Sequence, residues 1–401
     1  MTTRTATETE PLSAPAAPRP VETTAPIAAP DAAAPDAAAI ERQLQDLAGR
    51  RVAVALSGGV DSAVAAHALR SAGADVIALA LRLHDVDPTL PRAPRACCAP
   101  DDLQDARRVA EALDVPFYVI DARNAFDVGV VEPFVSGYLA GRTPSPCVAC
   151  NAQVKLGLLW QRARLLGAVA LATGHYARTN SAGRLFRGVD LAKDQSYFLF
   201  ATPSVVLREL VLPLGASTKA DVRARALAAG LPVAHKLDSQ EVCFVGGDGA
   251  KDFLRRRAGG LDGSGPIVDS AGAEVGRHDG FWQYTIGQRR GTNVASGRRL
   301  YVLGVDVSTR AVTVGEDREL SEWGLAACDV RWITAPTGPA RAHVKIRSRD
   351  PGTAATIRSI EGAKVEVRFD LPVRAVAKGQ AAVFYEGDEV LGGGFIIGAL
   401  R

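Results

Sequence analysis

Three cysteines and one glycine-rich loop are the groups in this sequence best equipped for chemistry. Cys147 and Cys150 form a CxxC within Pro144-Ser145-Pro146-Cys147-Val148-Ala149-Cys150-Asn151, between a proline-stiffened stretch and a helix expected to begin near Asn151. A thiol at a helix N-terminus is more readily held as thiolate. Cys243, in Asp238-Ser239-Gln240-Glu241-Val242-Cys243-Phe244, is distant in sequence and would have to return to the same site through folding. Thiol chemistry uses such pairs: one sulfur attacks or carries, the other resolves. Two metal readings stay open. A CxxC is half of a zinc site, needing two more ligands from Cys243, His175 or the Cys97-Cys98 pair. Alternatively, Cys147, Cys150 and Cys243 would hold an iron–sulfur cluster with one open iron. Cys328 reads as a small buried residue, and Cys97 and Cys98 receive no role.

The loop is Ser57-Gly58-Gly59-Val60-Asp61-Ser62, preceded by the apolar run Arg51-Val52-Ala53-Val54-Ala55-Leu56 and followed by a helix-like stretch to Ala72-Gly73. In a strand–loop–helix unit, backbone N–H groups and the positive end of the helix dipole converge where an anion would sit. The glycines permit close approach of phosphate to the backbone. A plain Gly-Gly turn is the bland alternative. No GxxxxGK[ST] segment occurs and this loop contains no lysine, which argues against a γ-phosphate machine. The six residues resemble the pyrophosphate loop of N-type ATP pyrophosphatases, which cleave ATP between the α and β phosphates to adenylate a substrate.

Further strands are expected at 75–83, 116–120 and 168–172, with a helix at 101–113, and the alternation implies a parallel sheet covered on both faces. The strand at 168–172 runs into Thr173-Gly174-His175-Tyr176, and loops at the carboxyl ends of such strands bind ligands. From about Thr218 the pattern changes to one helix at 219–229 and a Gly-rich stretch around 246–280, read as a small linking domain. Short β-type runs from about Leu300 onward predict a small β-barrel. The expected division is a disordered Ala/Pro-rich tail at 1–43, a catalytic domain at 44–217, a linking domain at 218–299 carrying Cys243, and a barrel at 300–401.

The 401 residues are 47% hydrophobic and 23% charged, enough for two or three cored domains. Six cysteines are too few for a disulfide framework and favour a reducing compartment. The tail resembles neither a transit peptide nor a secretory signal, and no run of about 18 or more apolar residues reads as a membrane span, so a cytoplasmic protein is expected. Net charge is +3, but the first 43 residues carry three bases and six acids, leaving +6 on the remainder. Three basic patches stand out: Lys251 with Arg255, Arg256 and Arg257; Arg289, Arg290, Arg298 and Arg299; and Arg341, Lys345, Arg347 and Arg349. They are either a nucleic-acid footprint or solvated faces.

From about Arg51 to the C-terminus the chain resembles the tRNA-specific 2-thiouridylase (MnmA/TrmU) family. The resemblance is carried in order by residues 57–62, Cys97-Cys98 leading to Asp105-Ala106-Arg107, Gly141-Arg142-Thr143-Pro144-Ser145-Pro146-Cys147 on to Asn151, and Gly174-His175-Tyr176-Ala177. It continues through Lys193-Asp194-Gln195-Ser196-Tyr197-Phe198, residues 238–244 and Tyr284-Thr285-Ile286-Gly287-Gln288-Arg289. It implies an adenine-nucleotide alpha-hydrolase-like α/β catalytic domain, a linking domain and a C-terminal β-barrel. The implied reaction replaces O2 of the wobble uridine of tRNA with sulfur. ATP and Mg²⁺ would activate the oxygen by adenylation, with AMP and pyrophosphate released.

By the same resemblance Cys243 carries the sulfur as a persulfide, Cys150 is the nucleophile, and a transient Cys150–Cys243 disulfide closes the turnover. Ala55, Leu56, residues 57–62, Leu81 and Gly174 would meet the nucleotide. Ser145, Pro146 and Cys147 would lie beside the target base. His175, Lys193, Asp194, Gln195, Arg347, Ser348 and Gln380 would face tRNA. Partners implied are wobble-uridine tRNAs and a sulfur carrier or cysteine desulfurase; a monomer is expected. Many relatives have Asp where this chain has Cys147, which supplies a third soft ligand and keeps a [4Fe-4S] alternative open. Two other classes compete. A pyrophosphate-loop ligase acting on a small metabolite leaves Cys150 and Cys243 unexplained, and a metal-stabilised RNA-binding protein leaves the loop unexplained.

Overall fold

The computed structural model describes residues 33–85, 100–238, 242–245, 249–292, 294, 297–360 and 362–400. Cys97, Cys98 and most of the expected tail lie outside the described residues. Part of that tail is helical: Ala37–Gln45 forms a helix capped by Asp36, whose side chain accepts from the Ala39 N–H, and Ile40 is buried. The order expected to begin at residue 44 therefore begins earlier, because Asp36 supplies an N-cap and Ile40 an apolar anchor.

Five parallel strands build the first sheet: β1 (Arg51–Ala55), β2 (Asp75–Arg82), β3 (Phe117–Asp121), β4 (Ala170–Ala172) and, after two strands that join another sheet, β7 (Leu210–Val211). Their spatial order is β3-β2-β1-β4-β7. Alternate residues face two cores. Ala53, Ile77, Leu79, Leu81 and Leu171 pack on one face, and Val52, Val54, Val76, Ala78 and Ala172 on the other. Burial on both faces explains the continuous apolar runs. The chain moves from β1 outward to β3 and then restarts at β4 on the other side. Such a reversal opens a crevice at the carboxyl ends of β1 and β4.

The second sheet contains β8 (Gly265–Val268), β9 (Glu274–His278), β10 (Tyr301–Val305) and β11 (Val312–Gly315), in the order β10-β11-β8-β9. The boundary expected at residue 300 thus falls inside this sheet. The runs at 301–303 and 311–314 belong with β8 and β9, because Val302, Val312 and Val314 share a core with Ile267, Phe281 and Trp282. Strand β12 (Ser321–Trp332) opens the barrel, followed by β13 (Ala340–Lys345), β14 (Thr353–Ile360), β15 (Lys364–Arg374), β16 (Ala381–Glu386) and β17 (Glu389–Leu400). Pairing of β12 with β17 closes these six strands.

Two short strands of the first domain, β5 (Ala177–Thr179) and β6 (Leu185–Arg187), extend the barrel wall instead of their own sheet, through Glu389 opposite Phe186 and Val390 opposite Leu185. Arg178 reaches Asp388 at 2.9 Å, and Arg184 donates to Glu389. Among the described residues no helix is long and apolar enough to cross a membrane.

Candidate active site

The loop at 57–62 leaves β1 at the centre of the sheet and enters the helix Val60–Ser71, whose N-cap is Gly59. Gly59 makes no side-chain cap, so the first N–H groups of that helix are available to an anion. Inside the loop, Ser62 Oγ accepts from the Ser57 N–H at 3.1 Å and donates to the Gly59 carbonyl at 3.0 Å. Two glycines are sterically required. Gly58 has φ of +73°, and a Cβ there would lie 2.1 Å from the Asp102 carbonyl oxygen. A Cβ on Gly174, after β4, would lie 2.7 Å from the Ser62 nitrogen. These close approaches put residues 173–176 beside the loop, and the cradle fits a nucleotide phosphate. Leu56 is fully buried, so it offers the nucleotide only its backbone; Leu81 is buried and Ala55 partly so.

The loop is ringed by cations that sequence reading missed. Lys219 Nζ holds both oxygens of Asp61, at 2.7 and 2.8 Å, and Tyr176 donates its hydroxyl to Asp61 at 2.7 Å. Burial, then the Asp61 carboxylate, push the Tyr176 phenol well above its ordinary range, so it stays a donor. Lys236 Nζ donates to the Gly58 carbonyl at 3.0 Å and pairs with Asp102 and Asp105, each at 2.5 Å. The absence of lysine in the loop is made good by two lysines far along the chain. The only local hint was Thr218-Lys219, where Thr218 and Asp221 form a capping box at the start of Lys219–Ala228.

The helix carrying the CxxC starts earlier than expected. Ser145 is its N-cap and Pro146 opens it, so Cys147 sits in the first turn, exposed, while Cys150 is buried one turn further on. Proline at the first helical position was the overlooked signal. From Cys150 to Leu158 the helix is π-wound, a form concentrated at functional sites. Cys150 belongs to the core under the sheet, and Cys243 and Phe244 pack against that same core. Phe244 is wedged edge-on against Phe126, Phe134 and Phe253, with ring centroids 5.6, 5.1 and 5.3 Å away. Each such pair contributes about 0.5–1.5 kcal/mol beyond its buried area, fixing the backbone next to Cys243.

The fold thus gathers Cys150 and Cys243 on one core. Among the described residues no three His, Cys, Asp or Glu side chains converge as a metal-ligand set. A cluster on Cys147, Cys150 and Cys243 does not fit that arrangement, with Cys147 facing solvent and Cys150 facing the core. Cys328 is half-buried on β12, with its thiol donating to Asp329.

Ser145 and Gln380 meet at the barrel. Gln380 Nε2 donates to the Thr143 carbonyl at 2.8 Å, and the Ser145 hydroxyl lies 3.5 Å from Gln380 Oε1. Residues 193–195 have internal partners. Lys193 pairs with Asp238 at 2.7 Å, and Asp194 accepts from the Gly188 and Ser196 N–H groups and the Ser196 hydroxyl. Gln195 Oε1 accepts from the Tyr176 N–H. Arg347 donates to the Ala375 carbonyl at 2.9 Å, with Ser348 half-buried beside it. In the basic patches Arg289, Arg290, Arg298, Arg299 and Arg349 are exposed. Lys345 instead is buried with its ammonium 5.7 Å from the Tyr385 ring centre, so it drops out of the surface patch.

His175 Nδ1 lies 2.8 Å from the Thr173 hydroxyl, and burial, then the Lys155 charge, push its pKa down to about 3. An unfolded chain takes up that proton near its ordinary value of about 6.5, so between those pH values the unfolded state binds more protons and stability rises with pH. His175→Gln is therefore expected to flatten the acid limb of the stability curve, measured by urea unfolding from about pH 4.5 to 7. An unchanged slope would mean the imidazole is not held neutral.

A parallel-sheet nucleotide-binding domain with a phosphate loop at its switch point, followed by a small β-rich domain and a closed barrel, defines the class. Family models agree: a tRNA methyl transferase HUP domain matches residues 50–247, a tRNA methyl transferase PRC-barrel domain 251–316, and an aminomethyltransferase beta-barrel domain 323–396. A tRNA-specific 2-thiouridylase MnmA of Geobacter metallireducens is 45% identical over 365 residues, covering 89% of this chain and 99% of that protein. Another, of Sorangium cellulosum, is 47% identical over 361 residues, covering 88% and 94%. The chain belongs to the tRNA-specific 2-thiouridylase MnmA family. Among solved structures, an NMN synthetase from Francisella tularensis overlays 50% of this chain and 74% of its own at 18% identity and a TM-score of 0.32.

Proposed function

We propose that the enzyme uses ATP to convert the wobble uridine of tRNA to 2-thiouridine through Cys150 and Cys243. The observation that carries this reading is a phosphate cradle at 57–62 in the same domain whose core receives both cysteines. The C2 carbonyl of uracil is urea-like and has no leaving group. Attack of its oxygen on the α-phosphorus of ATP forms the O–P bond, breaks the bond to pyrophosphate, and sheds the N3 proton. The helix N-terminus at Val60 and the neighbouring Lys219 and Lys236 stabilise the departing pyrophosphate. Mg²⁺, held with the help of Asp61, would add further charge neutralisation.

A persulfide on Cys243 then adds its outer sulfur to C2, and AMP leaves with the former O2. Cys150 thiolate attacks the Cys243 sulfur, forming the Cys150–Cys243 bond as the S–S bond to the transferred atom breaks. Reprotonation at N3 completes 2-thiouridine. External reductant reopens the disulfide, and a sulfur carrier or desulfurase recharges Cys243. Transient bridges of this kind suit a reducing compartment. Single-stranded anticodon loops let a base be splayed into a pocket, and the exposed arginines at 289–290 and 298–299 suit backbone phosphates.

Anaerobic incubation with unmodified tRNA, ATP, Mg²⁺ and a persulfide donor, with nucleosides read by mass spectrometry, tests it. Thiouridine and AMP are expected from iron-free wild-type enzyme. Cys150→Ser and Cys243→Ser should each lower thiouridine by at least about 1,000-fold, as for loss of a covalent nucleophile. Thiolation confined to iron-loaded protein would replace the persulfide route, and absence of thiouridine under both conditions would remove the tRNA assignment.

A further inference from the structure

Gln380 has both ends of its amide committed inside the protein. Nε2 donates to the Thr143 carbonyl at 2.8 Å and to the Pro144 carbonyl at 3.3 Å, and Oε1 faces the Ser145 hydroxyl at 3.5 Å. Two carbonyls on one side admit only the nitrogen there, which fixes the orientation of the amide. With both N–H groups used, a tRNA group could reach only a lone pair of Oε1. The side chain is also firmly mounted. The Gln380 carbonyl accepts from the Ile396 N–H at 2.8 Å, and β16 begins at the next residue.

The backbone repeats the contact. The Thr143 N–H donates to the Lys378 carbonyl at 2.7 Å. Between Lys378 and Gln380, Gly379 has φ of +89°, and a Cβ there would stand 3.1 Å from both Arg142 Cβ and the Thr143 oxygen. Barrel residues 378–380 are thus fitted closely to residues 142–145 of the catalytic domain. Ser145 heads the helix whose first turn holds Pro146 and Cys147, yet it makes no side-chain cap bond. Its hydroxyl is turned instead to Gln380 and to Tyr197, whose own hydroxyl donates to the Ala381 carbonyl at 2.9 Å. A serine in this position ordinarily fixes the helix start by capping it. Here the start is held from the barrel.

We propose that Gln380 is a positioning residue of the base site, holding residues 144–147 in register from the barrel. It touches no reacting atom. Its influence is confined to one turn of chain, because Val148 and Cys150 are fixed by the core and the Thr143–Lys378 bond does not depend on the side chain. That turn carries Ser145, Pro146 and Cys147, the residues set beside the target base. The inference rests on the thiolation reading above and deepens it: the barrel that would receive tRNA also sets the turn on which the uridine is placed.

Gln380→Met keeps the length of the side chain and removes both donors. With wobble-uridine tRNA, kcat for 2-thiouridine is expected to fall by about 30-fold or more, the scale of a misplacement approaching an ångström, while the tRNA Kd stays within about twofold. Without tRNA, hydrogen exchange read by mass spectrometry should quicken by about fivefold or more at 143–148. The Thr143 and Val148 amides, which donate to the Lys378 and Ser145 carbonyls, report it. Exchange in β13 to β15 should not change. Gln380→Lys returns N–H donors at similar reach and should recover most of the protection. A weakened Kd with unchanged kcat would make Gln380 a tRNA contact and overturn the proposal. Unaltered exchange at 143–148, or equal quickening throughout the barrel, would overturn it too. Because the exchange arm uses neither tRNA nor ATP, it decides the grip of Gln380 on this turn even if wild-type enzyme makes no thiouridine, which would remove the thiolation reading instead.

Discussion

Gly58→Ala is expected to abolish ATP-dependent turnover. The residue needs φ of +73°, and the added methyl would lie 2.1 Å from a backbone oxygen of Asp102 that cannot rotate away. Either the loop or the helix bearing Asp102 has to move by about an ångström, and misplacement of that size costs on the order of 100-fold in rate. The displaced loop also disturbs the Lys236 contact to the Gly58 carbonyl. AMP release would be measured beside Gly230→Ala, where φ is +61° but nothing lies within 4 Å of a Cβ. That control carries the backbone strain without the collision, about 1 kcal/mol of stability, and should turn over within about twofold of wild type. Near-normal AMP release by Gly58→Ala would show that the loop does not grip the nucleotide through this close approach.

The second large effect concerns stability. Glu389 is almost fully buried and accepts from Arg184 and from the Thr334 hydroxyl, the latter at 2.7 Å. Glu389→Ala leaves a largely enclosed guanidinium without its carboxylate, an error that costs about 3–5 kcal/mol. Urea unfolding should show that loss. Replacing both partners together, as Arg184→Met with Glu389→Leu, should recover most of it, because the apolar pair fills the space and strands no charge. A single-variant loss below about 1 kcal/mol would class the pair with ordinary surface bridges.

What the sequence made legible was local. Residues 51–62 announce strand, loop and helix through their own apolar run and Gly-Gly pair, and the loop does lie at the switch point. The helix 219–228 announces itself through Thr218 and Asp221. The errors arose where distant partners decide. Strands β5 and β6 are three residues each and include Arg178 and Arg187; β6 exists because residues 389–390 pair with it, and β5 because it pairs with β6. Tyr301–Val305 has the composition of a barrel strand, and only its partner Val312–Gly315 assigns it to the middle sheet. The π-winding from Cys150 leaves no mark in apolar spacing. Lys219 and Lys236 reach the loop across 158 and 178 residues, a distance no motif spans.

The strand pair β5 and β6 also sets a timetable for the chain's synthesis. Arg184 and Glu389 are 205 positions apart, so the partner of this edge is made long after the edge itself. At about 5–20 residues per second, roughly 10–40 s pass between translation of the two. Through that interval Leu185 and Phe186, both buried in the finished protein, lack their β17 neighbours and present an open strand edge. A nascent chain arrested before residue 389 would therefore carry a complete phosphate loop and an adhesive flank, and would be a substrate for chaperones before it could become an enzyme.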